Sequence, residues 1–259
     1  VIRATDATYA VRGKVLVDGV SLDVVPGQML VLAGANGAGK STLLKLLAGE
    51  LEPTSGKVEL DGGDLRRLGD EALARRRAVL PQGIPTPALT VAETVTLGRL
   101  PHRYTAAGPA DADVVAQAME DAALTPWHGR LMPTLSGGEA QRVHLARVQA
   151  QLESAAAGTR YCFLDEPTSA LDLSHQLELM HRLRRWAAGW GVVAAIHDLN
   201  LAARFADRVA VLREGKLVAC GSPSDVLTEA LIEHAFSTRA AVIPHPVLGH
   251  PLILPLEPQ

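Results

Sequence analysis

One short segment constrains this chain more than any other: Gly34, Ala35, Asn36, Gly37, Ala38, Gly39, Lys40, Ser41 and Thr42, in that order. It follows an apolar run at 29–33 that reads as a strand. It precedes residues 42–48, which read as a helix closed by Gly49. A G-x-x-x-x-G-K-[ST] spacing between strand and helix is a phosphate loop. The glycines let the backbone curl so that successive N–H groups aim at phosphates without side chains in the way. The helix start at Gly39 or Lys40 adds its dipole, Lys40 a charge toward the β- and γ-phosphates, and Ser41 a hydroxyl for Mg²⁺. A nucleoside triphosphate is the expected ligand, ATP being one choice, and an α/β fold the expected frame.

Phosphate binding alone does not separate a kinase, a GTPase and an ATPase. Residues 161–164 form an apolar strand that ends in Asp165 and Glu166, followed by Pro167. Such a strand delivers Asp165 beside the phosphate loop, where it can hold the Mg²⁺ hydration shell. Glu166 alternates to the other side and is placed to polarise an attacking water. Hydrolysis is the expected chemistry.

The rest of the chain supplies the frame. Residues 1–77 alternate short β-type runs at 15–17, 20–25, 29–33 and 57–60 with Gly and Pro. Residues 90–152 turn helical, with Val115, Ala118, Met119 and Ala122 on one face of 111–124, and Leu145, Val148 and Leu152 spaced along a second helix. From residue 161, strands at 161–164, 192–196, 209–213 and 216–220 alternate with helices at 174–187 and 199–205, which implies parallel pairing under two helical layers. We expect one domain over 1–259. Its core is 1–89 and 153–239, its helical insertion 90–152, and its end an extended, Pro-stiffened tail over 240–259.

At 47% hydrophobic and a net charge of −3, the chain is neither disordered nor fibrous. A spanning helix needs roughly 18 apolar residues, and the longest apolar runs here break well short of that. Residues 1–6 carry no basic-then-apolar leader, so a cytoplasmic location is expected. The balanced charge argues against nucleic acid as a partner. The runs Arg75-Arg76-Arg77 and Arg182, Arg184, Arg185 read as solvated helix faces, and Cys162 and Cys220 as buried, inert thiols. His245 and His250 fall in the Pro-rich end and are read as part of that surface cover.

A further segment narrows the field. Leu135-Ser136-Gly137-Gly138-Glu139 places small residues at a helix start, another anion-binding geometry. With the phosphate loop and Leu164-Asp165-Glu166-Pro167 in this order, the chain resembles the ABC-type ATPases over nearly its whole length. The resemblance implies a P-loop NTPase fold: a RecA-like core, an antiparallel β subdomain and an inserted α-helical subdomain. It implies that Ser136, Gly137, Gly138 and Glu139 reach the γ-phosphate held by a second copy, with Asp172 of the loop 169–172 at the crossing. It also implies that Tyr9 stacks on adenine, that Gln82 reaches Mg²⁺ and the attacking water, and that His197 contacts the γ-phosphate. The implied set is then Glu166, His197 and Gln82 for catalysis, and Ser41, Gln82 and Asp165 for Mg²⁺.

Family subclass follows from what the chain carries. It has a single cassette and neither fused membrane helices nor a long coiled-coil insertion, which resembles the separate ATPase subunit of a bacterial importer. Residues 90–99, 172–176 and 197–203 resemble the iron-siderophore, cobalamin and haem branch. Residues 145–152 and 160–161 are most similar to ATPases of haemin import. The implied partners are a second copy, two transmembrane permease subunits coupled through residues 83–99, and indirectly a periplasmic haem-binding protein. The implied place is the cytoplasmic face of the inner membrane. A ferric-siderophore or cobalamin importer, a soluble ABC regulator and a phosphate-loop kinase are the other readings, the last leaving LSGGE without a purpose.

Overall fold

The computed structural model describes residues 1–83, 86–103, 111–153, 158–169 and 171–256. Ala170 of the loop 169–172, residues 84 and 85 of the expected coupling segment, 104–110 of the helical block and 257–259 of the tail lie outside the described residues.

In chain order the elements are β1 (Ile2–Val11), β2 (Lys14–Val24), β3 (Met29–Ala33), α1 (Lys40–Ala48), β4 (Ser55–Leu60), β5 (Gly63–Asp64), α2 (Asp70–Arg76), β6 (Arg77–Leu80), α3 (Val91–Thr96), α4 (Asp111–Asp121), α5 (Gly137–Leu152) and β7 (Tyr161–Asp165). Then come α6 (Leu173–Ala187), β8 (Gly191–Ala195), α7 (Leu199–Phe205), β9 (Arg208–Arg213), β10 (Lys216–Gly221), α8 (Pro223–Val226), α9 (Glu229–Phe236), β11 (Ala240–Pro244) and β12 (Pro251–Pro255).

Among the described residues the main sheet runs β10-β9-β3-β8-β7-β6. β6, β7, β8, β3 and β9 pair in parallel, and β10 closes the edge antiparallel to β9. Alternation along β3 shows why both faces are covered. Met29, Val31 and Ala33 enter a core with α6, α7 and α9, whereas Leu30 and Leu32 enter a second core with α1 and the sheet β2-β1-β4-β5. A third cluster, with Val91, Val95, Met119, Val143 and Ala146, sits among α3, α4 and α5. No helix among the described residues is long and apolar enough to cross a membrane.

Four sequence expectations change. The runs at 15–17 and 20–25 are one strand, β2, bent through Gly19. Residues 2–11 form β1, hidden in the sequence because register shifts between Ala4 and Ala10 break its alternation. The helix expected over 111–124 stops at Asp121, with Ala123 at φ 53. The tail is not simply extended: β11 and β12 pair from Ala240 with Pro255 to Pro244 with Pro251. Asn200 on α7 locks this hairpin, accepting from Ile253 N at 2.8 Å and donating to Ile253 O at 3.2 Å.

The basic runs are only partly solvated. Arg76 pairs with Asp61 and bonds Thr159, Arg77 is largely buried, and Arg182 donates to Asp121 O, while Arg184 and Arg185 are exposed. Cys162 is fully buried, and its thiol is pushed up by desolvation. Cys220 is half-buried and lies 3.2 Å from Arg208 Nη2, so its surroundings are not purely apolar.

Candidate active site

Parallel strands end on one side of a sheet, and four such ends build the site, that of β6 leading to Gln82. β3 leads into the phosphate loop, β7 ends in Asp165, and β8 is followed by His197. A cavity of about 560 Å³ is lined by Asn36 through Thr42 with Gln82, Glu166 and His197.

The loop needs its glycines for geometric reasons. Gly39 caps α1 at φ 101, and a Cβ there would lie 2.5 Å from Leu16 O. Gly34, at φ 149, is equally close to Leu212 O. Because Gly39 brings no capping side chain, the first-turn amides of α1 are left for an anion. Lys40 is buried and donates to Gly34 O at 2.8 Å and Ala35 O at 3.0 Å. Burial pulls its pKa down, against the attraction of Glu166 and Asp165.

Asp165 accepts a hydrogen bond from Ser41 Oγ at 2.9 Å. Burial pushes its carboxyl up; the Ser41 bond opposes this, Glu166 adds to it, and Lys45 and Lys40 oppose it. A desolvated carboxylate beside a hydroxyl is a pair of hard oxygen donors, which fits Mg²⁺. Glu166 is held from two sides. Gln82 Nε2 donates to Oε2 at 2.7 Å, and His197 Nε2 lies 2.6 Å from Oε1. The carboxylate can only accept, so His197 carries its proton on Nε2 in this contact. Glu166 itself adopts φ 50, a region that non-glycine residues enter at a cost of about 1–3 kcal/mol.

The structure thus brings Gly34–Thr42, Gln82, Asp165, Glu166 and His197 together. Tyr9 is not among the lining residues. It sits on β1, half-buried against the second core and opposite Val17, next along the strand from Leu16. Lys14 and Leu16, which the sequence reading missed, line the cavity instead. Their only sequence signal is the Arg12-Gly13 turn that folds β2 back toward the loop.

The segment 135–139 forms a well-built helix start. Ser136 caps α5 in a reciprocal box, accepting from Glu139 N while its own N–H donates to Glu139 Oε2 at 2.7 Å. Arg130 lies 3.5 Å from Glu139. The Glu139 carboxylate is therefore committed within the turn, and the Ser136 O–H with the Gly137 and Gly138 amides is what remains to donate outward. The Ser136 amide, which holds Glu139 Oε2, keeps the Glu139 carboxyl below its usual range. Asp172 caps α6, accepting from His175 N at 2.9 Å, and is likewise held low by that amide.

Comparison with known proteins identifies the family. The ABC transporter family model matches residues 17–169. The hemin import ATP-binding protein HmuV of Gloeobacter violaceus is 45% identical, covering 98% of this chain and 94% of its own. HmuV of Deinococcus radiodurans is 46% identical (98% and 96%), and that of Rhizobium meliloti 43% (98% and 98%). Among solved structures, a metal-chelate type ABC transporter in an inward-facing conformation superposes with TM-score 0.81 at 27% identity, over 99% of this chain and 97% of that one. A dimeric ATP-binding cassette, MJ0796, bound to ADP and Pi gives 0.73 at 26% identity, over 86% and 99%. The chain belongs to the ABC transporter family, as one of its ATP-hydrolysing cassettes.

Proposed function

We propose that this cassette energises haem import, working as a homodimer on the cytoplasmic face of the bacterial inner membrane beneath two permease subunits that receive haem from a periplasmic binding protein. The observation that carries the substrate is the similarity to hemin import proteins across nearly the whole chain. The observation that carries the chemistry is Glu166 suspended between Gln82 and His197 at the mouth of the phosphate loop.

ATP lies with its phosphates against the α1 amides and Lys40, and with its adenine past the edge of the cavity at Lys14 and Leu16, on the side of the sheet where Tyr9 pairs with Val17. Ser41, Asp165 and Gln82 would hold Mg²⁺, which would supply neutralisation of the phosphate charge there. Glu166 takes a proton from water as its oxygen bonds the γ-phosphorus and the bond to ADP breaks. His197 and Gln82 fix the carboxylate for that step. The second copy contributes its Ser136–Glu139 turn and Asp172, so closure of the pair completes two sites. Residues 90–152 carry that turn, and 83–99 link the Gln82 position to the permease.

Vesicles that contain the permease with this chain test the substrate. ATP-dependent uptake of haem is expected. Uptake of cobalamin or a ferric siderophore, with none of haem, overturns the assignment and leaves the cassette chemistry standing.

A further inference from the structure

His144 on α5 is only 5% exposed, and neither ring nitrogen has a hydrogen-bond partner among the described residues. Leaving a buried polar group unpaired is unfavourable enough that folds satisfy nearly all of them, often with ordered water. His144 borders a cavity of about 200 Å³, well above the ~10–15 Å³ that one ordered water needs. On the α5 side the wall is one stripe, Gly137, Ala140, Gln141 and His144, at the i, i+3, i+4, i+7 spacing of a single helix face. Across the cavity stand Gln82, Asp165 and Glu166. The Gln141 side-chain amide donates to Pro167 O, which ties the start of α5 to the residue after Glu166. Burial, then Arg147 on the same helix, pushes His144 down to about 4. At neutral pH its ring therefore offers one donor and one acceptor.

We propose that His144 is a positioning residue for hydrolysis, which through ordered water in this cavity holds the Gln82–Glu166 pair in register with the helix that begins at Ser136. The idea rests on Glu166 as the base. It adds a link from the turn that meets one nucleotide to the carboxylate that acts on the other.

Steady-state MgATP hydrolysis by the 259-residue chain tests it, comparing the parent with His144→Leu and His144→Gln and following thermal unfolding alongside. His144→Leu removes both nitrogens at similar volume. It is expected to lower kcat about tenfold, with KM unchanged within about twofold, and to unfold at or above the parent temperature because a buried polar group has gone. His144→Gln returns a donor and an acceptor and is expected to recover most of kcat. A purely structural role would instead lower stability and leave kcat in place. Parent-like kcat in His144→Leu overturns the proposal, and so does a stable His144→Gln as slow as His144→Leu. If His144→Leu folds poorly, His144→Met carries the same test. Parent-like turnover by Glu166→Gln is a different failure, since it removes the base and not the link.

Discussion

Replacing Glu166 by Gln separates what that residue holds from what it does. The amide is isosteric with the carboxylate. Its oxygen can still accept from Gln82 Nε2, and its NH₂ can donate to His197 Nε2 once that ring takes the other tautomer, so both contacts, 2.7 and 2.6 Å in the parent, survive. The backbone at φ 50 asks the same of Gln as of Glu. The fold and the nucleotide cradle are therefore kept, and the loss is the basic lone pair. General-base catalysis contributes about 10²–10⁴ in rate, or about 3–5 kcal/mol of barrier. Lys40 is attracted by Glu166, but so much negative charge gathers once a triphosphate binds that removing one carboxylate leaves ATP affinity equal or higher. Single-turnover quench experiments should show hydrolysis slowed by at least about 10², and equilibrium titration should show undiminished ATP binding. Turnover within about tenfold of the parent would refute the base assignment. Slow turnover with lost ATP binding would make Glu166 an anchor of the site instead.

Three further substitutions and one pH series follow from the same geometry. His197→Ala leaves Oε1 to water while Gln82 keeps Oε2; with the His197 side chain 42% exposed, kcat should fall only about five- to tenfold, an ordinary hydrogen bond's worth. Lys40→Ala removes the buried cation of the loop and should weaken ATP binding by about 10- to 100-fold in a titration, the value of one charge-assisted hydrogen bond. Gly39→Ala places a Cβ 2.5 Å from Leu16 O at φ 101, so the urea midpoint should drop by the equivalent of about 1–3 kcal/mol and ATP affinity should fall with it. His144 protonates near 6.5 when unfolded but only near 4 when folded. Its neutral form is the one the fold accommodates, so stability declines as pH falls through that window, by at most about 3 kcal/mol, and levels off below it. Asp165 and Glu166 face the same cavity and Arg147 shares the helix, so the decisive measurement is the difference between parent and His144→Leu in urea unfolding at several pH values. No difference across the window would sink it.

Besides the helix start at 135–139, what could be read in the chain sits at the end of a parallel strand. Gly34–Thr42, Gln82, Asp165-Glu166 and His197 each follow a short apolar run, and strand direction alone carries them to one edge of the sheet. Features that depend on distant pairing were not readable. Nothing local tells that residues 2–11 form a bulged strand between β2 and β4, or that Leu16 approaches Gly39. The pairing of β11 with β12 was hidden for a related reason. Five prolines after residue 239 read as breakers, yet Pro244 and Pro251 stand opposite each other at the end of the ladder, where a missing N–H does least harm. The arginines at 76 and 182 look like surface charge in the sequence, because their acceptors, Asp61, Thr159 and Asp121 O, lie far away along it.

α5 joins the helical block to the strand ends that carry Gln82 and Glu166. One face of this helix packs Val143, Ala146 and Ala150 into the cluster with α3 and α4, while another packs Leu145, Val148 and Leu152 into the core beneath β6 and β7. Its remaining stripe, from Gly137 to His144, lines the cavity behind Glu166. A close-packed helix held on two sides has little room to absorb a displacement along its own length. Movement of the Ser136–Glu139 turn is therefore passed to Pro167 through Gln141 and to the cavity through His144. The opposite demand holds equally, since a carboxylate poised for hydrolysis constrains where that turn can stand. The two halves of the proposed composite site are thus joined inside each chain by α5.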